Sequence, residues 1–164
     1  MSELLPPDAP SDILWSDARL LGHTELDRTH EEFVACVAAL QAATDAELPA
    51  CLEALAAHCV RHFQQEEQWM TATDFPAAQC HADEHAAVLK SVREVQALWD
   101  DPAHAGRVHA VVRNLTQALA DWFPGHADYM DAALSHWMTQ RSLGGAPVVL
   151  RRGVATAADT PTTD

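Results

Sequence analysis

The sequence predicts an all-α protein, an up-down-up-down antiparallel four-helix bundle with an irregular N-terminal arm and a flexible C-terminal tail. Apolar residues recur at steps of three and four in four long stretches, which is the period of an amphipathic helix. Short links rich in Pro, Gly, Asp and Thr separate the stretches, and short links favour antiparallel neighbours. The chain has 164 residues, 48% of them hydrophobic, which suits one domain with a packed core.

The first half of the chain contains the arm and two predicted helices. The arm covers residues 1–23, where prolines and Trp15 occur without a helical period. The first helical stripe consists of Leu26, His30, Phe33, Val37 and Leu40. After a link at 44–49, the second stripe consists of Leu52, Leu55, Cys59, His62, Glu66 and Trp69. Pro49 is compatible with the first turn of that second helix.

The second half contains two more helices and the tail. After a break at 71–76, the third stripe consists of His81, His85, Val88, Val92, Val95 and Trp99. A link at 100–106 leads to the fourth stripe, which consists of Val108, Val112, Leu115, Leu119, Trp122 and His126. Pro124 predicts a kink just before His126, because proline lacks a backbone donor. We expect a four-helix domain at 1–138 and a tail at 139–164.

Composition narrows the classes of partner and the compartment. The formal net charge is −14, whereas nucleic acids and anionic membranes require a basic surface, so neither is an expected partner. No apolar run approaches the roughly 18 residues of a membrane span, and the N-terminus does not read as a signal peptide. The four cysteines lack C-x-x-C spacing and fall in helical stretches, which is typical of free thiols. We therefore expect a cytoplasmic protein.

Polar side chains interrupt the apolar stripes of all four helices. Five histidines and one glutamate occupy core-facing positions: His30, His62, Glu66, His81, His85 and His126. Burying so many titratable groups without partners would cost several kcal/mol each. The pairs His62/Glu66 and His81/His85 are each four residues apart, so each pair lies on one helix face. A bound metal would satisfy imidazole nitrogens and carboxylate oxygens together.

The same residues are predicted to lie at one depth in the bundle. In an antiparallel pair, residues at the same level are equally far from the connecting link. The midpoints between successive groups fall near residues 47, 73–74 and 104, each inside a predicted link. Three links agree, so the four helices should bring these side chains to one layer.

The donor set predicts two metal ions rather than one. Imidazole with carboxylate suits iron, zinc, copper or nickel, and seven donors exceed what one tetrahedral zinc needs. A second carboxylate should come from the region after His126, but Asp131 is about 140° from the His126 face of a regular helix. Asp128 is no better placed, so the phase leaves both open. We expect the other histidines at the surface or behind the ligands: His23, His58, His104, His109 and His136.

Four elements of the chain together resemble a known family. They are Trp15 with Gly22 and Leu26-Asp27-x-x-His30; His62-Phe63-x-x-Glu66-Glu67; His81-x-x-x-His85; and Trp122-x-x-x-His126-x-x-x-x-Asp131. In this order and with these intervals, residues 13–135 resemble the hemerythrin family, specifically the single-domain bacterial hemerythrins.

The resemblance implies two iron ions (Fe2+ or Fe3+) with a bridging oxo or hydroxo group, and O2 as their ligand. One iron would be held by His81, His85 and His126, the other by His30 and His62. Glu66 and Asp131 would bridge them, and O2 would bind the two-histidine iron. The matching pocket residues are Phe33, Phe63, Trp122, Phe123 and Ala127. The family commonly has a branched aliphatic residue where this chain has Ala127, so we expect a more open pocket and faster autoxidation.

The function that follows is reversible O2 binding for storage, delivery or sensing, without enzymatic activity. We expect a monomer with O2 as its partner, and delivery would further need a protein that accepts O2. The alternative is a di-iron redox enzyme acting on peroxide, nitric oxide or ferrous iron. Ferritin-like oxidation sites are richer in carboxylates, so five histidines favour reversible binding. A role in iron repair or donation is a third hypothesis.

Overall fold

A computed structural model describes residues 12–151 and contains the expected bundle. Its four long helices are α1 (Thr24–Ala42), α2 (Leu48–Ala72), α3 (Ala78–Trp99) and α4 (Val108–His126). A π turn (Ala127–Asp131) joins α4 directly to a further helix, α5 (Ala132–Leu143). Two 3-10 turns, Asp17–Arg19 and Pro102–His104, lie in the arm and in the third link. The outer parts of the arm (1–11) and of the tail (152–164) lie outside the described residues.

The helices pack as the four-helix bundle that the sequence predicted. α2 contacts both α1 and α3, and α4 closes the bundle by contacting α1 and α3. Side chains that are fully buried include Phe33, Leu40, Leu55 and Phe123. Each such side chain stabilises the fold by roughly 1.5–3 kcal/mol. In the described part of the chain, no helix is long and apolar enough to cross a membrane.

Helix α1 starts at a well-defined junction with the arm. Asp27 accepts hydrogen bonds from the backbone N–H groups of Leu21 (2.6 Å) and Gly22 (3.1 Å), and Gly22 has a φ of 85°. The side chain of His23 caps the helix by accepting from the N–H of Leu26. Gly22 is also approached by the tail, since a Cβ there would lie 2.9 Å from the Cβ of Pro147. These contacts fix where α1 begins. They therefore also fix how far along the bundle axis the following residues of α1 lie.

The end of α1 is tied to α4 by one side chain. Arg113 donates to the backbone oxygens of Leu40 (3.2 Å) and Ala43 (2.7 Å), which are free carbonyls at the helix end. It also pairs with Asp45 at 3.2 Å. These contacts of Arg113 fix the end of α1 relative to α4.

The C-terminal part of the fold is helical further along the chain than we expected. α4 runs through Pro124 as a helix and continues through the π turn into α5, which ends at Leu143 with Gly144 in the left-handed conformation (φ 68°). The last five residues of α5 therefore lie in the range assigned to the tail. α5 buries Leu134, Ser135 and Met138. Two of these are apolar, so the apolar period of this helix is weak. Leu134 and Met138 pack with Met70 in a small cluster separate from the main core.

The four cysteines are free thiols. Cys59 is buried, and burial raises the pKa of its thiol to about 12. Cys36 and Cys51 are half-buried, whereas Cys80 is exposed.

Candidate metal centre

Seven polar side chains form one buried layer between the main apolar core and the small cluster of Met70, Leu134 and Met138. They come from every long helix and the π turn: His30 from α1, His62 and Glu66 from α2, His81 and His85 from α3, His126 from α4, and Asp131. Each exposes 5% of its surface or less. The link midpoints predicted this common level. All seven residues expected from the sequence as ligands are therefore brought together.

Three histidines converge on one side of the layer. The Nε2 atoms of His81 and His85 each lie 3.2 Å from Nε2 of His126. His126 donates from Nδ1 to Glu84 at 2.9 Å, so its Nε2 carries a lone pair that faces the other two rings. Two ligands at right angles on a metal with bonds of about 2.1 Å would be about 3.0 Å apart. The spacing of this three-histidine group thus suits three donors on one ion.

Glu66 connects the three-histidine group to α2. Its Oε1 lies 2.6 Å from Nε2 of His62. Its Oε2 lies 3.1 Å from Nε2 of His81 and 3.4 Å from Nε2 of His85. One carboxylate therefore presents one oxygen to each side of the layer.

Asp131 repeats this arrangement from the π turn. Its Oδ2 lies 2.9 Å from Nε2 of His30. Its Oδ1 lies 2.9 Å from Nε2 of His81 and 3.2 Å from Nε2 of His126. His30 and His62, the two-histidine group, thus share both carboxylates with the three-histidine group.

The short carboxylate–imidazole distances in this layer do not have hydrogen-bonding geometry. Both oxygens of Glu66 and of Asp131, and the Nε2 atoms of His30 and His62, lack any partner in hydrogen-bonding geometry. Buried polar groups are almost always satisfied, and leaving this many unsatisfied would be very costly. Lone pairs that point at a common centre are instead what a cation requires. The donor set, five imidazoles and two carboxylates, fits transition metals such as iron.

A local change of helix type explains how Asp131 reaches the layer. The N–H of Ala132 bonds to the carbonyl of Ala127, five residues earlier, so the turn carries one extra residue. Asp131 therefore occupies, relative to His126, the place that the fourth residue takes in an α-helix. The sequence left Asp128 and Asp131 open on phase alone. Asp128 is exposed, so the π turn decides between them.

Both carboxylates are held in their ionised form. Burial and the neighbouring carboxylate of Asp131 act to raise the pKa of Glu66. The approach of three imidazoles, from His62, His81 and His85, outweighs both, and the pKa of Glu66 lies below its usual value. A carboxylate must be ionised to bind a metal, so Glu66 is prepared for that role.

Asp131 and the histidines beside it shift each other's pKa values in opposite directions. Burial raises the pKa of Asp131, but the nearby rings of His126, His30 and His81 outweigh it and lower the pKa well below its usual value. Burial lowers the pKa of His81, yet Asp131 and Glu66 together raise it to about 9. A cation at this position would replace the proton that the two carboxylates attract.

Aromatic side chains from α1, α2 and α4 pack against the layer. Phe33 stacks on Phe123 with ring centres 4.7 Å apart, and Phe123 meets the edge of His30 at 5.2 Å. Phe63 stacks on His85 at 4.0 Å, and Trp122 stacks on His126 at 4.4 Å. Ala127, the last of the expected pocket residues, is 4% exposed and opens the π turn. The five residues form the walls next to the histidines, and their role toward O2 stays a prediction.

Glu84 has a role near the layer that the sequence reasoning did not assign, whereas His58 is one of the histidines expected at the surface or behind the ligands. Glu84 bonds to His126 and to the indole N–H of Trp122. The signal was an acidic residue directly before His85, on a face about 100° away from it. His58 is buried one turn before His62, contacts the rings of Phe33 and His62, and has a pKa that burial lowers to about 4. Both lie behind the ligand layer.

Comparison with known proteins relates the chain to one family. A family model described as "Hemerythrin HHE cation binding domain" matches residues 21–137. The chain is 37% identical to a protein named bacteriohemerythrin from Ralstonia nicotianae over 129 residues, which cover 79% of this chain and 90% of that protein. It is 28% identical to a myohemerythrin from Riftia pachyptila over 94 residues, 57% of this chain and 77% of that one. No solved structure gives a significant match.

Proposed function

This chain belongs to the hemerythrin family, and we propose that it holds a non-haem di-iron centre that binds O2 reversibly. The observation that carries the proposal is the position of the two carboxylates. Glu66 and Asp131 each direct one oxygen toward the two-histidine group and the other toward the three-histidine group. Such an arrangement is what two bridged metal ions need.

The histidines divide between the two ions in this proposal. His81, His85 and His126 hold one iron, and His30 and His62 hold the other. One oxygen from each carboxylate would give the three-histidine group five protein donors for its ion and the two-histidine group four. An added ligand would therefore have more room on the two-histidine side, which is where we expect O2.

The iron pair would supply the electrons that hold O2, while the chain controls access to it. Phe33, Phe63, Trp122 and Phe123 surround the histidines with apolar surface and exclude water. A dry site strengthens the interaction between the carboxylates and a bound cation, and it hinders the proton transfers that make oxidation irreversible. Ala127 adds little bulk to this wall, so it is the side on which we expect water to enter most easily.

The competing hypothesis is a di-iron redox enzyme that acts on peroxide, nitric oxide or ferrous iron. The donors argue against it, since ferritin-like oxidation sites use more carboxylates and fewer imidazoles. The small Ala127 argues for it, because an open pocket favours irreversible oxidation. Whether the protein stores, delivers or senses O2 would depend on its O2 affinity.

An optical titration of the reduced, iron-loaded protein tests the proposal. A visible absorption band that appears with O2 and disappears on deoxygenation over repeated cycles is the expected result. The metal-free protein serves as the control and should show no band. Immediate oxidation that deoxygenation does not reverse would contradict reversible binding and support the redox enzyme. Failure to take up iron would contradict both.

A further inference from the structure

One carboxylate outside the ligand layer links a ligand histidine to the aromatic wall. Oε2 of Glu84 accepts a hydrogen bond from Nδ1 of His126 at 2.9 Å and another from the indole nitrogen of Trp122 at 3.3 Å. The side chain of Glu84 is 43% exposed, whereas that of His126 is 2% exposed. Glu84 thus reaches from the protein surface to the back of a buried ring.

His126 is the exception among the five histidines of the layer. The outer Nδ1 atoms of His30, His62, His81 and His85 are buried and have no hydrogen-bond partner within residues 12–151. Glu67 comes near His85, but its oxygen is 3.9 Å from Nδ1, beyond hydrogen-bonding distance. Of the five, His126 alone therefore has its orientation and tautomer fixed by a hydrogen bond from the nitrogen that faces away from the layer.

Trp122 is held by the same contact. Its ring stacks on His126 with centres 4.4 Å apart and an angle of 29°, and it meets Phe33 at 6.2 Å and Phe63 at 6.3 Å. Without an acceptor, the half-buried indole N–H would have to turn toward solvent. Glu84 consequently orders a ligand and a wall of the pocket at once.

We propose that Glu84 is a positioning residue, which fixes Nε2 of His126 toward the metal and strengthens its donor character. The proposal rests on the assignment of His126 as an iron ligand made above. A carboxylate behind a ligating imidazole orients the ring and raises its basicity. The stronger donor holds iron more tightly and favours its more oxidised state.

The first test compares iron release and reduction potential in two variants of Glu84. Glu84→Ala removes both hydrogen bonds. Loss of such a partner typically lowers metal affinity by about 10–100-fold, and we expect this loss to appear as iron transfer to a chelator that is faster by up to that factor. Glu84→Gln keeps an acceptor oxygen and should release iron at a rate between those of Glu84→Ala and the wild type. The midpoint potential of the centre should rise in Glu84→Ala.

The matched control is Asp83→Ala. Asp83 is the neighbouring carboxylate, is exposed, and accepts a hydrogen bond from Gln79 on its own helix. Its removal takes away the same charge without the contact to His126, so release rate and potential should stay at the wild-type values. Equal effects of Asp83→Ala and Glu84→Ala would overturn the proposal, because surface charge alone would explain them.

A second readout does not depend on iron. In the metal-free protein, NMR of 15N-labelled histidine should show a ring N–H of His126 that exchanges slowly with water. The signal should persist in Asp83→Ala and be lost in Glu84→Ala. A wild-type protein with this signal that takes up no iron would contradict the di-iron function while supporting the contact. Iron uptake without the signal would support the function and overturn the role of Glu84.

Discussion

At the scale of single residues, Glu66 and Glu67 form a natural pair for testing the ligand layer. Glu66 is buried and faces three histidines, whereas the side chain of Glu67 is 47% exposed. Glu66→Gln keeps the shape and removes the charge that attracts a cation. We expect its iron affinity to fall by more than about tenfold, beyond the low end of the range for partners behind the ligands. Glu67→Gln should bind iron like the wild type.

Iron content after dialysis, with the fold checked by circular dichroism, measures this difference. Equal iron content in the two variants would show that Glu66 is not a ligand. The comparison is sharp because both substitutions remove one negative charge from adjacent positions.

We expect Ala127 to affect a second residue-scale property, the rate at which an iron centre in this layer would be oxidised. It is buried beside His126 at the start of the π turn. In Ala127→Ile, the larger side chain should exclude water and slow oxidation by O2. Overpacking at such a site costs about 1–3 kcal/mol of folding free energy, so stability must be measured as well.

Ala118→Ile is the control for Ala127→Ile, since Ala118 is exposed on α4, the helix that leads into the π turn. The decay of the O2-dependent absorption band gives the rate in each protein. If Ala127→Ile decays as fast as Ala118→Ile, pocket size does not govern oxidation and the expectation drawn from Ala127 is wrong.

At the scale of elements, α5 closes the end of the bundle beyond the ligand layer. Leu134 is fully buried against Met70 and Met138, whereas Leu143, in the last turn of the same helix, is 81% exposed. We expect Leu134→Ala to lower the free energy of unfolding by about 2–5 kcal/mol, because it removes buried surface and leaves a cavity. Leu143→Ala should change it by less than about 0.5 kcal/mol.

Urea denaturation of both α5 variants measures the difference in the free energy of unfolding. A Leu134→Ala protein as stable as Leu143→Ala would mean that α5 does not dock on the bundle. The π turn would then have no packed helix to hold it in place.

At the scale of the whole molecule, bound metal should stabilise the fold. Seven buried donors from all four long helices and the π turn would share the bound ions, and a ligand that binds only the native state adds to its stability. With iron at 100 times its dissociation constant, the gain is about 2.7 kcal/mol. For a chain of this size that corresponds to a Tm about 5–11 °C above that of the metal-free protein.

Thermal unfolding with and without a chelator tests this stabilisation. The chelator should lower the Tm of the iron-loaded wild type by more than it lowers the Tm of Glu66→Gln, because the variant binds iron more weakly. An identical Tm in both states of the wild type would mean that no ion joins the four helices.

The sequence by itself determined the four long helices, their antiparallel order and the common depth of the polar residues. Helical periodicity and link length are local properties, so the stripes of α1 to α4 could be read directly, and the link midpoints followed from them. α5 was not predicted as a helix, because half of its residues are exposed and only Leu134 and Met138 mark a buried apolar face.

Only the tertiary structure decided how the carboxylates meet the histidines. The choice of Asp131 over Asp128 depends on one extra residue in the π turn, a change of backbone hydrogen bonding that leaves no trace in the apolar period. The contact of Glu84 with His126 joins residues 42 positions apart on two helices. Such contacts depend on how α3 and α4 rotate against each other, and that rotation is set by the packing of the whole core rather than by either helix alone.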